Sequence, residues 1–443
     1  MKDLNGMNFR KTYLMIVFLL TSIYTIGQDT LSLSDAVKIG MENNFSIRIA
    51  RNDVTIADNN NTLGNAGFLP KVDASASSNN SFYNIKQEFT DGTNYKNSSY
   101  PSYGLSGNVL LNWTLFDGFA MFANKQKYST LEELSNINFQ MTVEDAAASI
   151  IINYYTIAIE NNLLENYHEA LTLSRDRLRI AREKAAIGTS YQIAVMQAEV
   201  DYRADSSQML QQVNKIQNLK INLNKLIGRE PEINFNVKKL APEVVSIELN
   251  TIIENLVNQN KEIQAAKLNL RLKEIAIREA QASRYPRIGI SPAYNFSRSS
   301  TPEGSTELNR SFGPAIGISA GITLFNGFNA NRNIKNARIY RDNQDLMNQS
   351  KVQNLKGEAI KYYNNLVLAK NLVELEQKSA ELAKTNSNVA MEKYRIGIIS
   401  DIELRDAQIK YLDAEYRYLN ALMQAKTAEV ELQVLMGAVN IPQ

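Results

Sequence analysis

The chain has 443 residues, with 48 basic and 46 acidic residues, no cysteine and one histidine, His168. We therefore expect neither disulfides nor a lipid on an N-terminal cysteine, and neither a His-based triad nor a His-cluster metal site. Three basic residues and one acidic residue fall within residues 1–27, which leaves 45 of each and no net charge in the rest. The basic surplus typical of nucleic-acid-binding proteins is missing, so we expect no nucleic-acid partner.

The N-terminus has the layout of a secretory signal peptide. Arg10 and Lys11 precede an apolar run from Tyr13 to Ile26, which is followed by Gly27. The run is too short to cross a bilayer comfortably as a helix, which takes about 20 residues. We therefore predict a signal peptide over residues 1–27 rather than a buried N-terminal helix. No later apolar run approaches membrane-helix length, so a membrane span would have to consist of strands.

The rest of the chain, residues 28–443, contains one sequence unit written twice. The halves match at an offset of 216 residues near the start of the unit, and at an offset of 209 from its middle to its end. The matched pairs include Asn44 with Asn260, Pro70 with Pro286, Gly118 with Gly327, Phe119 with Phe328, Tyr154 with Tyr363, Gly188 with Gly397 and Gly228 with Gly437. Because the register persists along the whole unit, we predict repeat one over 31–228, repeat two over 247–437 and a connector over 229–246.

Each repeat is predicted to hold one long helix between two shorter helical segments. Proline is absent from Ser102 to Glu230 and from Ala315 to Ile441, which permits helices of this length. The predicted segments are Ser32–Ala66, Phe119–Ile187 and Ser190–Ile227 in repeat one, and Glu248–Ser283, Phe328–Ile396 and Ser400–Met436 in repeat two.

The last segment of each repeat has a heptad pattern, in which positions recur at alternating steps of three and four. This spacing predicts coiled-coil packing. The positions are Leu404, Ala407, Tyr411, Ala414, Tyr418, Ala421, Ala425, Ala428, Leu432 and Leu435 in repeat two, and Val195, Ala198, Tyr202, Asp205, Met209, Gln212, Ile216, Leu219, Leu223 and Leu226 in repeat one.

Between the helices the apolar period changes to two, which predicts strands. The clearest apolar faces run from Tyr103 to Leu115 and from Phe312 to Leu324, and a less regular strand precedes each. Strands of about ten residues with apolar and small polar faces are typical of outer-membrane barrels, although an ordinary antiparallel sheet with one buried face would look similar. The signal peptide favours the barrel, whose extracellular loops are then predicted at Asn84–Tyr100 and Arg298–Arg310.

Four strands per chain cannot close a membrane barrel, because the smallest such barrels have about eight strands. Cyclic association of three chains would supply twelve. The sequence therefore predicts an α+β membrane protein with a duplicated helix–β-hairpin–helix unit. Four strands per chain would form a trimeric 12-stranded β-barrel, continued by a long α-helical coiled-coil barrel.

This layout resembles the TolC-like outer-membrane efflux protein family, over essentially the whole chain after the signal peptide. The most specific similarities are the duplication, the Leu-Phe-x-Gly-Phe segments at 115–119 and 324–328, and the helix-turn-helix tip from Tyr394 to Ala407. The resemblance implies an outer-membrane channel of a tripartite efflux or type I secretion system in a Gram-negative bacterium, with a periplasmic helical tunnel. It also implies a homotrimer that meets outer-membrane lipid, a periplasmic adaptor (membrane fusion) protein and an inner-membrane transporter of the RND or ABC type.

The same resemblance assigns candidate site residues. Glu403 matches a tip acid of the family by charge, and Asp406 and Tyr394 match by identity, so these three are the expected channel gate. Carboxylates crowded at the mouth of a trimer should favour protonation and bind multivalent cations. The turns between the helices are expected to dock the adaptor: Ile187, Gly188, Thr189 and Ser190 in repeat one, and Ile396, Gly397, Ile398 and Ile399 in repeat two.

Two positions depart from the family pattern. Ile399 stands where the family's archetype has a basic latch residue, and Ala194 stands where an acid would be expected. We therefore expect the closed state to depend more on apolar packing than on ion pairs. Asp401, at the start of the last helix, is expected to be a solvated acid that the helix dipole favours.

Two other classes of protein compete with a channel. An enzyme would need convergent polar side chains, but the only histidine, His168, falls on an apolar helix stripe and is expected to be packed there. We expect no catalytic residue and no cofactor. The other alternative is a trimeric coiled-coil structural or adhesive outer-membrane protein without transport, which would place its anchor strands at one end of the chain. Here the predicted strands lie in the middle of each repeat.

Overall fold

The computed structural model describes residues 30–238, 243–245, 247–302 and 306–438, so the predicted signal peptide lies outside the described residues. The elements in chain order are β1 (Thr30–Leu31), α1 (Leu33–Asn43), α2 (Phe45–Asn60), α3 (Leu63–Ala66), β2 (Lys71–Glu88), β3 (Asn94–Phe116), α4 (Ala120–Ala186), α5 (Gln192–Leu226), β4 (Asn236–Val237), α6 (Leu249–Gln259), α7 (Lys261–Ala282), β5 (Arg287–Ser300), β6 (Leu308–Gly321), α8 (Asn329–Arg395) and α9 (Asp401–Leu435).

The described residues divide into two compact units. The first holds those up to Ile49, those within Met141–Asn260 and those from Asn354 onward. The second holds those within Ala50–Gln140 and Lys261–Gln353. Both long helices, α4 and α8, contribute residues to each unit.

The second unit contains a four-stranded antiparallel sheet with the order β2–β3–β5–β6. In the first hairpin Lys71 lies opposite Asn112, and in the second Arg287 lies opposite Gly321. β3 pairs with β5 and joins the two hairpins, so β2 and β6 are the edges of the sheet. The strands predicted from the period-two pattern are confirmed.

The predicted loop Asn84–Tyr100 is wrong for most of its length. β2 continues to Glu88 and β3 begins at Asn94, so a short turn connects two long strands. Strand pairing needs backbone hydrogen bonds and compatible cross-strand neighbours rather than an apolar face, so serine and asparagine do not end this hairpin. The predicted loop Arg298–Arg310 is shortened for the same reason, because β5 and β6 extend into it.

In the second unit, helices from both repeats contact α4. The side chain of Asn61, just after α2, donates a hydrogen bond to Glu132 of α4 at 2.5 Å. On α7, Glu279 forms an ion pair with Lys127 of α4 at 3.2 Å. The first part of α4 is therefore contacted by segments of both repeats.

In the first unit, the main apolar cluster gathers α1, α4, α5 and the parallel β1–β4 pair. Its buried members include Leu31, Ala36, Val37, Ile150, Tyr154, Ile157, Leu223, Ile227 and Phe235. The hydroxyl of the fully buried Tyr154 donates to the carbonyl of Leu31 at 2.9 Å and accepts from the amide of Lys238 at 3.2 Å. These bonds fix the strand pair to the long helix.

The first helical segment of each repeat is interrupted, at Asn44 and at Asn260. The side chain of Asn44 donates to the carbonyl of Leu226 at 2.7 Å, and that of Asn260 donates to the carbonyl of Leu435 at 3.0 Å. Asparagine satisfies backbone groups at helix ends and so permits a break that apolar periodicity does not reveal. The four later helices, α4, α5, α8 and α9, begin and end within two residues of their predicted bounds.

Candidate functional site: hairpin tips and exposed apolar faces

Each repeat ends its long helix in a tight turn. α4 and α5 are joined through Gly188, with φ of 73°, and α8 and α9 through Gly397, with φ of 80°. The amide of Thr189 donates to the carbonyl of Lys184, and that of Ile398 to the carbonyl of Lys393, both at 2.9 Å. Glycine adopts the left-handed conformation that such a helix end requires without a steric penalty.

The two turns expose large apolar side chains. Ile187, Ile396 and Ile398 are each more than two-thirds exposed. Ser190 and Ile399 are half-buried. Solvent-facing turns are usually polar, so exposed isoleucines, one in the first turn and two in the second, are typical of a surface that meets a partner. The structure places all eight predicted docking residues in these turns.

The two predicted gate acids lie on α9, and each interacts with a neighbour along the same helix. Ser400 and Glu403 form a capping box, in which the Glu403 carboxylate accepts from the Ser400 amide at 2.7 Å and from its hydroxyl at 2.8 Å. The bond from the Ser400 amide, and then that from its hydroxyl, lower the pKa of Glu403. Asp406 pairs with Lys410 at 2.7 Å. The crowding expected to favour protonation concerns several copies of the chain and stays a prediction.

The third predicted gate residue, Tyr394, is buried in an apolar cluster. Its partners include Ile180 of α4 and Leu404 of α9. The Lys184 ammonium lies 4.3 Å from the centroid of the tyrosine ring. Burial, and then the charge of Asp401, raise the pKa of Tyr394, so the phenol stays protonated near neutral pH. The tyrosine thus packs α8 against its neighbours at the tip.

Sequence reasoning missed a cluster of buried and half-buried charges that lies just behind the turns. This tip charge cluster consists of Arg177, Asp201, Asp205, Asp401 and Arg405. Arg177 is 1% exposed. Its guanidinium donates to both carboxylate oxygens of Asp401 at 2.5 Å and to Asp201 at 2.7 Å. Burial alone would lower the pKa of Arg177, but the hydrogen bonds that it donates to Asp401 and Asp201 raise it.

The second half of the tip charge cluster is a bidentate ion pair between Arg405 and Asp205. Arg405 of α9 donates to both oxygens of Asp205 of α5, each at 2.8 Å, and the hydroxyl of Ser174 of α4 also donates to Asp205. Together the five charges join α4, α5 and α9 within one chain. Asp401 is therefore not the solvated acid that its position predicted, because a buried arginine on another helix holds it.

One signal for the tip charge cluster was present in the sequence. Asp205 occupies a heptad position between Tyr202 and Met209, where an unpaired charge would be costly. A charge in such a seam calls for an opposite charge on the facing helix. The sequence does not single out Arg177 and Arg405 among the other arginines. The position equivalent to Arg177 in repeat two is Asn386, and the position equivalent to Arg405 in repeat one is Met196, so neither arginine is repeated.

Two helices of the first unit expose apolar residues at coiled-coil spacing. On α8, leucine or valine recurs every seven residues and is exposed at Leu368, Leu375, Leu382 and Val389, and the spacing continues to Ile396 in the turn that follows. On α5, Ile193, Met196, Val200 and Leu210 are exposed. α4 packs with α5 on one apolar cluster and with α9 on another. These two exposed stripes are candidate surfaces for further helices.

The predicted apolar face of the sheet is exposed to solvent in both repeats. Phe312, Ile316 and Ile318 of β6 are each at least three-quarters exposed in the second repeat, and so is Leu324, just after the strand. Tyr103, Leu105, Val109 and Leu115 are exposed in the first. A water-soluble protein rarely exposes contiguous apolar surface of this kind. No helix among the described residues is long and apolar enough to cross a membrane.

His168 is exposed on α4, and the expectation that it packs among apolar side chains is wrong. Of that stripe, Ala147, Ile150, Tyr154 and Ile157 are buried, whereas Leu164 and Leu171, on either side of His168, are half-buried. In the part of the chain that the structure describes, no group of three or more His, Asp or Glu side chains could hold a metal ion.

Three solved channel structures have the same fold. The CmeC outer membrane channel of Campylobacter jejuni is 16% identical, with a TM-score of 0.77 over 93% of this chain and 87% of that chain. The outer membrane protein VceC of Vibrio cholerae is 15% identical, with a TM-score of 0.72 over 92% of this chain and 96% of that chain. The MtrE outer membrane channel of Neisseria gonorrhoeae, solved in its open state, is 16% identical, with a TM-score of 0.68 over 92% of this chain and 89% of that chain.

The sequence itself matches a family of channels. No curated protein matches it. The profile of the outer membrane efflux protein family, however, matches residues 39–229 and 252–438, which together make up most of the chain. The chain therefore belongs to the outer membrane efflux protein family and is an outer-membrane protein of a Gram-negative bacterium.

Proposed function

We propose that the chain is the outer-membrane exit duct of a tripartite efflux or type I secretion system. It passively conducts substrates that an inner-membrane transporter of the RND or ABC type delivers across the periplasm. The observation that carries this proposal is the exposure of Ile187, Ile396 and Ile398 at the hairpin turns. An apolar tip suits the helical hairpin of a periplasmic adaptor, which would cover it. Family membership supports the same role.

The working form of the duct is a homotrimer. The sheet of one chain has four strands and two open edges, and three copies would close it into twelve strands. The exposed stripes of α8 and α5 would then pack between neighbouring copies, as heptad spacing favours. The exposed apolar face of the sheet would meet outer-membrane lipid. Repeats 31–228 and 247–437 would each supply half of one chain's share of the wall.

Glu403, Asp406 and Tyr394 form the gate in this proposal. In a trimer the two acids would place six carboxylates around the periplasmic mouth. Among the described residues, Asp406 forms an exposed ion pair with Lys410 along its own helix, an interaction worth about 0–1 kcal/mol, so its carboxylate can leave this partner at little cost. Tyr394 would position this helix pair through its buried contacts with Ile180 and Leu404.

Photo-crosslinking in living cells tests the tripartite role. A photoreactive amino acid at Ile398 should capture a periplasmic adaptor, identified by mass spectrometry, because Ile398 is exposed at the tip. The matched control is Gln377, which is exposed on α8, the helix that leads into this turn, but lies well before its end. Capture of an adaptor at Ile398 alone supports docking at the tip. Absence of any adaptor at Ile398, or equal capture at both positions, removes the docking role.

A further inference from the structure

A cleft lies where the four-stranded sheet meets the helices of the second unit. It has a volume of about 300 Å³, and its lining comes from residues 118–126, around the start of α4, and residues 278–285, around the end of α7. The apolar part of the lining consists of Phe119, Phe122 and Tyr285, each about half exposed. Exposed aromatic surface of this kind is typical of a site that takes a ligand or meets a membrane.

A chain of contacts joins the cleft to the apolar face of the sheet. The indole nitrogen of Trp113 on β3 donates to the carbonyl of Phe68 at 2.9 Å. The ring of Phe68 meets that of Phe122 edge to face, with 5.0 Å between the centroids. Trp113 shares its side of β3 with Leu105 and Val109, because side chains alternate along a strand. The cleft therefore continues the face of the sheet that is proposed to meet lipid.

The cleft lies at the end of the strands that adjoins the helices. β3 ends at Phe116 and α4 begins at Ala120, whereas the turns of the two hairpins, after Glu88 and after Ser300, lie at the other ends of the strands. In the proposed duct the helices extend into the periplasm, so the cleft would lie at the leaflet of the outer membrane that faces the periplasm. That leaflet presents phospholipid headgroups. Aromatic rings are enriched at this depth in membrane barrels.

Two arginines with uncharged partners border the cleft. Arg278 of α7 donates to the side-chain oxygen of Gln126 at 2.8 Å, and Arg284 donates to that of Asn331 at 2.6 Å. Both arginines are exposed. Because the two acceptors are neutral amides, these bonds leave the positive charges uncompensated. A guanidinium group has five N–H donors, so each arginine keeps donors for an anionic ligand.

Farther from the sheet, the charges on α7 are paired with charges on α4. Arg271 forms an ion pair with Glu133 at 3.2 Å, and Glu279 forms one with Lys127 at 3.2 Å. Arg271 precedes Arg278 by seven residues, so the two arginines lie on nearly the same face of α7, about 10 Å apart along its axis. Neutral hydrogen-bond partners are thus a feature of the arginines beside the cleft and not of α7 as a whole.

More positive charge follows on the side of α8 that Arg284 contacts. Lys335 lies four residues after Asn331, and Arg338 lies three residues after Lys335, so the three side chains lie on one side of the helix. Lys335 and Arg338 are both exposed. Four basic side chains therefore lie near an aromatic cleft at the depth expected for phospholipid headgroups.

We infer that this cleft binds the headgroup of an anionic phospholipid from the periplasmic leaflet of the outer membrane. Arg278 and Arg284 donate to the phosphate oxygens, in the bidentate geometry that arginine forms with phosphate. Phe119, Phe122 and Tyr285 pack against the glycerol backbone and the first part of the acyl chains. A zwitterionic headgroup is disfavoured, because its own cationic group would lie close to two guanidinium groups. The inference rests on the proposed lipid contact of the sheet and adds a site and a class of lipid.

Quenching of tryptophan fluorescence tests this site, because Trp113 is the only tryptophan in the chain and is joined to the cleft through Phe68. Full-length trimers are reconstituted in phosphatidylcholine vesicles that contain a varied fraction of brominated phosphatidylglycerol or of brominated phosphatidylcholine. Bromine on the acyl chains quenches a nearby indole. The dependence of quenching on the brominated fraction gives the relative binding constant of the two lipids beside Trp113.

The test variant is Arg278→Gln with Arg284→Gln. A basic residue at an anionic membrane surface strengthens binding about fivefold, so two of them should give wild type a preference of roughly 25-fold for phosphatidylglycerol, most of which the variant should lose. Arg271→Gln is the control for depth. Arg287→Gln is the control for the face of the sheet: Ile290 lies opposite Trp113, and Arg287, three residues before Ile290 on β5, faces the other side.

A preference that wild type and both controls show and that the double variant loses supports the site. Equal quenching by the two lipids in wild type overturns it, whether or not any variant folds. An equal loss in the double variant and in either control also overturns it, because general surface charge would then explain the preference. Quenching by neither lipid removes the lipid contact of the proposed duct as well, whereas discrete conductance with equal quenching removes this inference alone.

Discussion

Replacing Arg177 with methionine tests whether the tip charge cluster holds three helices together. The guanidinium is 1% exposed and lies 2.7 Å from Asp201 and 2.5 Å from Asp401. Methionine keeps an unbranched stem but leaves both carboxylates without their cation. Removing one partner of a buried ion pair costs about 3–5 kcal/mol. The two carboxylates keep 15% and 16% of their exposure, so we expect the lower end, about 3 kcal/mol.

Hydrogen exchange of the tip helices, followed by mass spectrometry on detergent trimers, measures this loss of stability. If the tip exchanges by local opening, 3 kcal/mol corresponds to roughly 100-fold faster exchange of the amides in residues 191–205 and 401–405. The matched control is Arg179→Met, because Arg179 lies on the same helix, is 57% exposed and pairs with Glu183 at 3.0 Å. An exposed pair contributes about 0–1 kcal/mol, so exchange should rise less than about fivefold.

Equal protection of the tip in the Arg177 and Arg179 variants would refute the reasoning. The cause of a loss can also be separated from simple misfolding. Adding Asp201→Asn and Asp401→Asn to Arg177→Met removes the two uncompensated charges, and part of the protection should return. No return of protection in the triple variant would mean that Arg177 acts through packing rather than charge.

Three further predictions concern the two turns, the gate acids and Tyr411. Gly188→Leu with Gly397→Leu should abolish export while trimers remain in the membrane, because both turns need positive φ; unchanged export would exclude a role in docking. Glu403→Ala with Asp406→Ala should sharply weaken the block of channel current by multivalent cations added on the periplasmic side. Equal block of the double variant and of wild type would show that the two acids are surface charges without a gating role. Burial, followed by the charge of Glu169, raises the pKa of Tyr411 to about 12. A raised phenol pKa stabilises the fold below pH 10, and this contribution is lost as pH rises towards 12. The melting temperature should therefore fall less steeply over this pH range in Tyr411→Phe than in wild type.

The helices were predictable from the sequence because their signals are local. The proline-free stretch around α4 and the heptad positions from Leu404 to Leu435 locate helix ends within two residues. The breaks at Asn44 and Asn260 were not predictable from the sequence, since each depends on a carbonyl 175 or more residues away along the chain. A capping contact of that range leaves no periodic pattern.

The strand lengths and the charged part of the tip needed the structure. The hairpin that continues to Glu88 is held by backbone pairing, which serine and asparagine neither signal nor prevent. Arg177 and Asp401 lie on different helices, 224 residues apart, and only their packing brings them together. The predicted docking and gate residues come from the resemblance. They lie in the two turns, on α9 and, for Tyr394, on α8, and their functions stay predictions.

Single-channel recording of purified trimers in a planar lipid bilayer tests the central claim most directly. An exit duct should produce discrete conductance steps, because the proposed trimeric barrel would enclose a water-filled path. A structural or adhesive coiled-coil protein built on the same fold would insert without conducting. Discrete steps that the Glu403 and Asp406 variant makes less sensitive to multivalent cations are the predicted result. Stable insertion of intact trimers with no conductance, in wild type and in the gate variant alike, would contradict the account.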